Sequence, residues 1–174
     1  SGDNPSEKLL EITYPFLAHI DFYQLREGNF QNLTTGYAVN FSNRPYKNRL
    51  FVLPISLPAH SISQIYLRIQ TPNALMIPAR LWDKTAFHDY EYIDNSIQFL
   101  YFGIAIAMIL YNFFLFGILR DIGYLWYVLF SIFSVFTILF YTGQASAFFS
   151  WLDSFQAMNV GVNAATALMF VFFL

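Results

Sequence analysis

Residues 109 to 130 read ILYNFFLFGILRDIGYLWYVLF. One Arg-Asp pair, Arg120 and Asp121, interrupts an otherwise uncharged and strongly apolar stretch. A buried helix of a soluble protein is rarely apolar for so long on both sides of a charge. A helix crossing a hydrocarbon core of roughly 30 Å needs about 20 apolar residues, and each flank of the pair supplies that length. The pair therefore reads as the polar tip of a tight hairpin between two antiparallel membrane spans, with Gly123 helping the turn.

The rest of the chain divides around this reading. Of nine Lys and Arg, eight precede residue 95, and so do nine of the eleven Asp and Glu. From Asn95 onward only Arg120, Asp121 and Asp153 are charged. The apolar half predicts three spans, over residues 97–119, 124–145 and 156–174, a partial α-helical bundle. The polar half, 1–90, predicts an extracytoplasmic domain, with 91–96 as linker. The 174-residue chain is 56% hydrophobic, 21% aromatic and only 11% charged, where soluble proteins average about 25% charged. Its net charge of −2 offers no basic patch and argues against nucleic acid. With no cysteine, disulfide frameworks and thiolate metal sites are excluded.

Arginine in a short loop favours the cytoplasm. Asp89, Glu91 and Asp94 precede the first span, and the loop near residues 145–155 carries only Asp153. The expected orientation is N-terminus outside, Arg120 inside and Asp153 outside. Tyr124, Trp126, Tyr127 and Trp151 look like interfacial aromatic belts. Within the spans, Ser134, Thr137, Tyr141 and Gln144 fall on one helical arc, as do Gln156, Asn159, Asn163 and Thr166; Asn112 is the polar residue of the first span. Such groups should face the bundle interior. They read either as interhelical hydrogen bonds of about 0.6–2 kcal/mol each or as the lining of a cavity or path.

The polar half alternates with period two. Phe51, Leu53, Ile55 and Leu57 form one set, Ile65, Leu67 and Ile69 a second, Leu75, Ile77, Ala79 and Leu81 a third. Earlier strands cover roughly residues 20–25 and 9–14. Turn signals separate them at residues 26–29, 42–45, 58–61 and 71–73, and Pro54 and Pro78 suggest edges or bulges. The fold class expected is an all-β sandwich or jelly roll joined to a transmembrane bundle. A jelly roll has eight strands and fewer are visible, and the chain opens Ser1-Gly2 without an initiator Met. Both domains are thus expected to be partial, the chain a piece of a longer protein.

Sugar sites pair aromatic faces with fixed polar groups. Tyr66, Arg68, Arg80 and Trp82 lie opposite the apolar set and would share one surface if their strands were neighbours. The competing reading is solvent-facing arginines and a Trp packed at the membrane junction. Arg44 and Arg49 flank a Pro-containing turn where an anion or carboxylate would dock, unless the loop is merely solvated. His19, His60 and His88 show no ligand spacing, so no metal is expected, and no catalytic motif or cofactor fingerprint appears.

Several runs are similar to the membrane domain of the bacterial seven-transmembrane receptors with diverse intracellular signalling modules. They are Gly103-Ile104-Ala105-Ile106-Ala107-Met108, Leu110-Tyr111-Asn112-Phe113-Phe114-Leu115-Phe116, Leu119-Arg120-Asp121 and Tyr124-Leu125-Trp126-Tyr127. Upstream, Ile20-Asp21-Phe22-Tyr23, Thr35-Gly36, Arg44-Pro45, Arg49-Leu50-Phe51-Val52-Leu53-Pro54 and Tyr66-Leu67-Arg68-Ile69 resemble that family's extracellular β-domain. The resemblance implies a sensor of the bacterial inner membrane. Its periplasmic jelly-roll-like domain, related in form to carbohydrate-binding modules, would bind a small molecule or carbohydrate. Its helices would relay the signal to a cytoplasmic signalling module, with a homodimer as the partner state that dimeric outputs suggest. It implies no catalytic residues and no cofactor in these two domains. A transport or channel component is the alternative, and an integral-membrane enzyme a third reading.

Overall fold

The structure is a computed structural model that describes residues 6–26, 29–60, 63–72 and 74–148, together with residues 161, 164, 167 and 168. Six strands come first: β1 (Ser6–Ile12), β2 (His19–Arg26), β3 (Asn29–Thr35), β4 (Phe51–Leu57), β5 (Ile65–Gln70) and β6 (Ala79–Asp83). Helices α1 (Lys84–Leu119), α2 (Ile122–Tyr141) and the short α3 (Ala145–Phe148) follow.

The strands form two antiparallel three-stranded sheets, ordered β4-β1-β6 (sheet A) and β3-β2-β5 (sheet B). Alternation sorts their side chains. Ile12, Phe51, Leu53 and Ile55 of sheet A meet Ile20 and Phe22 of sheet B, closed by Leu17, Ala18 and Tyr37. Gln24, also buried, reaches across from sheet B, donating from Nε2 to the Ser56 carbonyl at 2.6 Å. β4 is an edge strand, which is why it tolerates the exposed Pro54 in its middle.

β3 has no counterpart in the sequence reading, because Phe30 and Leu33 stand three apart and break the two-residue period. The strand expected over residues 75–82 is shorter, running only from Ala79 to Asp83. β1, its partner, stops at Ile12 opposite Ala79, and Pro78 has no N–H with which to extend the ladder.

Sheet A is covered on its second face as well. Leu9 and Val52 pack against Phe87 of α1, flanked by Tyr46 and Trp82. β6 passes directly into α1, with Asp83 as the last extended residue. The helix therefore begins at Lys84 rather than at residue 97, and residues 91–96 lie within it. At 36 residues it is about 54 Å long. Its first turns lie on the sheet and its remainder is apolar.

Arg120 adopts the left-handed conformation (φ 51°) and donates its N–H to the Phe116 carbonyl, ending α1. Asp121 caps α2 by accepting from the Gly123 N–H at 2.9 Å. Two residues thus make the hairpin between two helices long and apolar enough to cross a membrane. Arg120 makes the bend and Gly123 already belongs to α2. α2 ends at Tyr141 rather than 145, since Gly143 (φ 79°) turns the chain. The expected third span, 156–174, falls almost wholly outside the described residues.

Candidate functional site

Two surfaces carry the chemistry of the β-domain. The first is the outer face of sheet B. Since Ile20, Phe22 and Gln24 are buried, the alternate residues Asp21 and Tyr23 point away from the core. Register places Asp21 between Thr34 and Arg68, and Tyr23 between Asn32 and Tyr66. Thr34 donates its hydroxyl to Asp21 Oδ1 at 3.0 Å, and Tyr66 donates to Gln64 Oε1 at 3.0 Å. Arg68 and Asn32 are exposed, and Tyr66 is 53% exposed. Two tyrosines side by side and a row of acceptors and donors thus form a polar platform, with Asp21 and Tyr23 half-buried between exposed neighbours.

Tyr66 and Arg68 belong to this platform; Arg80 and Trp82 do not. β5 and β6 are edges of different sheets and share no ladder, so the premise that the four residues lie on neighbouring strands is not met. Arg80 stands exposed on β6 opposite Glu11. Trp82 donates from Nε1 to Glu11 Oε2 at 2.8 Å and stacks on Tyr90 of α1, rings 4.9 Å apart. It packs at the corner where strand becomes helix.

The second surface is the joint between the β-domain and the helices, built by residues 40–50. Asn40 starts a single 3-10 turn (Phe41–Asn43), accepting from the Ser42 N–H at 2.9 Å. Arg44, before a proline, is extended. Its buried guanidinium lies over the rings of Phe41 and Phe51, 5.0 and 5.2 Å from their centroids, and donates to the Asn48 carbonyl at 3.2 Å. Asn48 Oδ1 accepts from the Leu50 N–H at 2.9 Å. So braced, the loop presents Tyr46, Asn48 and Arg49 to the helices.

Phe87, Glu91 and Asp94 follow one another at spacings of four and three, on one face of α1. Glu91 accepts from the Tyr46 hydroxyl at 3.1 Å and from Asn48 Nδ2 at 2.6 Å, one bond to each carboxylate oxygen. His88 Nδ1 lies 3.7 Å from the same carboxylate. Burial, and then the neighbouring Glu91 charge, push the Tyr46 phenol up to about 12. Arg49 donates from Nε and Nη2 to Asp94 Oδ2 at 3.0 and 2.7 Å. From Nη1 it donates to the Thr142 carbonyl, just past α2, at 2.8 Å. One side chain of the β-domain thereby holds both helices. Arg44 and Arg49, read from the sequence as either an anion dock or part of a solvated loop, are engaged within the chain.

Among the intramembrane polar residues, Asn112, Ser134 and Thr137 each bond the carbonyl one turn earlier, at 2.8–2.9 Å. Tyr141 meets Phe16 edge-on at 5.7 Å, and Gln144 sits in the turn before α3. Gln156, Asn159, Asn163 and Thr166 lie outside the described residues. The sequence reading missed Tyr46, Asn48, Glu91 and Asp94 as a group. The one signal that pointed to them was the acidic pair at i, i+3 following Phe87.

Residues 1–83 match the family model described as 7TMR-DISM extracellular 2. Residues 94–174 match the model described as 7TM diverse intracellular signalling. The stretch between the two matches, 84–93, is the part of α1 that packs on sheet A. No curated protein and no solved structure matches the chain.

Proposed function

We propose, for a chain that belongs to the seven-transmembrane receptors with diverse intracellular signalling, that the outer face of sheet B binds the ligand and the Arg49 joint passes its binding to the helices. The chain serves in sensing and relay across a membrane, and the family is one of receptors rather than enzymes. The observation that carries the site is the outward-facing row Thr34, Asp21 and Arg68 beside Asn32, Tyr23 and Tyr66. Tyrosine faces suit the apolar face of a sugar ring, and the flanking carboxylate, amide and guanidinium suit its hydroxyls. A small carbohydrate is therefore the ligand class we favour. On this reading the β-domain is a jelly-roll-like sandwich on the periplasmic side of a bacterial inner membrane. Arg120 then faces the cytoplasm, a third span covers 156–174, and the receptor works as a homodimer coupled to a cytoplasmic module.

A ligand shifts an equilibrium only by its different affinity for two states. β5, which carries Tyr66 and Arg68, leads through residues 71–78 into β6 and so into α1, and the joint fixes α1 against α2. A change in the tilt of the sandwich thus has a covalent and a salt-bridged route to the helix pair.

The test is binding of a panel of soluble mono- and oligosaccharides to the chain in lipid nanodiscs, by calorimetry. Tyr66→Ala and Arg68→Ala should each abolish binding of any sugar the parent takes, and Arg80→Ala should leave it unchanged. Undiminished affinity in both platform variants would remove the site. A transport role would instead require solute flux through reconstituted vesicles.

A further inference from the structure

The segment between β5 and β6 has a composition unlike the rest of the β-domain. Residues 71–78 read TPNALMIP, without a charge. Residues 74–78 belong to no ladder, and the Met76 N–H closes a small turn onto the Ala74 carbonyl at 3.2 Å. Leu75, Met76 and Ile77 are 62, 52 and 44% exposed. Three consecutive large apolar side chains bared to water form the kind of patch that marks a contact surface.

Their place in the fold identifies the contact. Both ends of the segment are tied to residues 13–16. Thr71 donates its hydroxyl to the Phe16 carbonyl at 3.0 Å, and the Pro78 carbonyl accepts from the Thr13 N–H at 3.0 Å. Residues 14–16 in turn meet the end of α2. Tyr14 and Phe16 rings lie edge-on at 5.6 Å, Phe16 meets Tyr141 at 5.7 Å, and Pro15 borders Gly143. Arg49 fixes that same level on α1 at Asp94, beyond which α1 has no charge up to Leu119. The bare loop therefore lies at the height where both apolar helices emerge, beside a cluster of aromatic rings of the type that gathers at membrane interfaces.

We propose that residues 74–77 are a bilayer anchor. The side chains of Leu75, Met76 and Ile77 enter the boundary between headgroups and acyl chains in the leaflet on the side of the β-domain, continuing the lipid-facing surface of α1 and α2. Such a wedge reaches about 5–10 Å into the interface. It pins the corner at which the platform strand β5 is joined to β6 and α1, so that rotation of the sandwich works against a fixed point. The inference is independent of the ligand and of which side of the membrane the domain occupies.

The chain has no cysteine, so Met76→Cys carries a single environment-sensitive fluorophore. The labelled full chain is placed in phosphatidylcholine nanodiscs containing lipids with a spin-label quencher either near the headgroup or near the chain end. Glu7→Cys, at the opposite end of β1, is the reference position. At residue 76 the expected result is blue-shifted emission, quenched several-fold more by the shallow quencher than at residue 7, and more by the shallow than by the deep quencher. Quenching no greater than at residue 7 overturns the anchor. A blue shift without quenching overturns it too, because the loop is then covered by protein, for example a second copy. Leu75→Cys repeats the measurement, so loss of one variant to misfolding leaves the result decisive.

Discussion

Arg49 grips one oxygen of Asp94 with two of its nitrogens and turns the third toward the carbonyl of Thr142. The planar guanidinium suits this work, since its donors diverge in fixed directions that a lysine cannot reproduce. The carbonyl it reaches lies at the C-terminal end of α2, where the helix dipole concentrates partial negative charge. A loop of the β-domain, an acidic turn of α1 and the end of α2 are thereby held at one point.

Breaking that point should be costly and non-additive. With side chains 14% and 26% exposed, the pair is neither fully buried nor freely solvated. Arg49→Ala is expected to lower stability by about 1.5–3 kcal/mol, as for hydrogen bonds to charged groups. Asp94→Asn should cost less, because the Thr142 contact survives it. Combined, the two losses should fall short of their sum by more than about 0.5 kcal/mol. A double-mutant cycle by denaturant titration in micelles measures this, and simple additivity would show that the two residues do not act as a pair.

Tyr46 gives the joint a titration signature. Its phenol holds its proton more tightly folded, about 12, than at the ordinary value of 10.0. A raised folded-state pKa means a stability contribution intact below pH 10 that is lost as the pH rises toward 12. In difference spectra of tyrosinate absorbance, Tyr46→Phe should remove a component that ionises at about 12 rather than at the ordinary 10.0. Its stability should also fall less steeply than the parent's over that interval. If the component lost in Tyr46→Phe ionised at the ordinary value of 10.0, Tyr46 would stand in water, away from Glu91.

What the amino-acid order could and could not reveal follows from the range of the interactions. β4 occupies the seven residues whose alternation marks it, and the α1–α2 hairpin turns at the charged pair that interrupts the apolar run, because period and hydropathy are local properties. Arg44 and Arg49 stood out as a pair around a proline, but their partners did not: Asp94 and Glu91 lie some 45 positions from Arg49 and Tyr46, and one sequence carries no trace of such pairings. Trp82 was open to two readings for the same reason. The start of α1 was hidden because residues 84–94 bury only Phe87 completely, too little for an apolar stripe to show. Neither could strand order be read, so residues of β5 and β6 appeared as one surface when they belong to two sheets.

Trp82 supports the corner between β6 and α1, which sets it apart from the platform tyrosines. Trp82→Phe keeps a ring against Tyr90 and Phe87 but removes the donor to Glu11, a carboxylate only 1% exposed. Leaving that group without its bond should cost about 1.5–3 kcal/mol. Ligand affinity, where a ligand of the platform is in hand, should be unchanged. A weakened ligand with unaltered unfolding would instead bring Trp82 into the binding site.

Gly143 offers the sharpest steric test of how closely the β-domain sits on α2. Its φ of 79° is a conformation that costs other residues about 1–2 kcal/mol. A Cβ there would stand 2.8 Å from the Arg49 carbonyl oxygen and 3.1 Å from the Pro15 side chain. Because the oxygen belongs to backbone, relief requires the loop that carries Arg49 to move, which also strains its bonds to Asp94 and Thr142. Gly143→Ala should therefore destabilise by more than the conformational term alone. Gly103→Ala is the matched control, since among the described residues nothing lies within 4 Å of its would-be Cβ, and alanine in a helix interior is favoured over glycine by about 1 kcal/mol. Denaturant titration of the two variants should move in opposite directions. If Gly143→Ala were as well tolerated as Gly103→Ala, the loop would not press on the end of α2, and the joint would have to be sought elsewhere along α1.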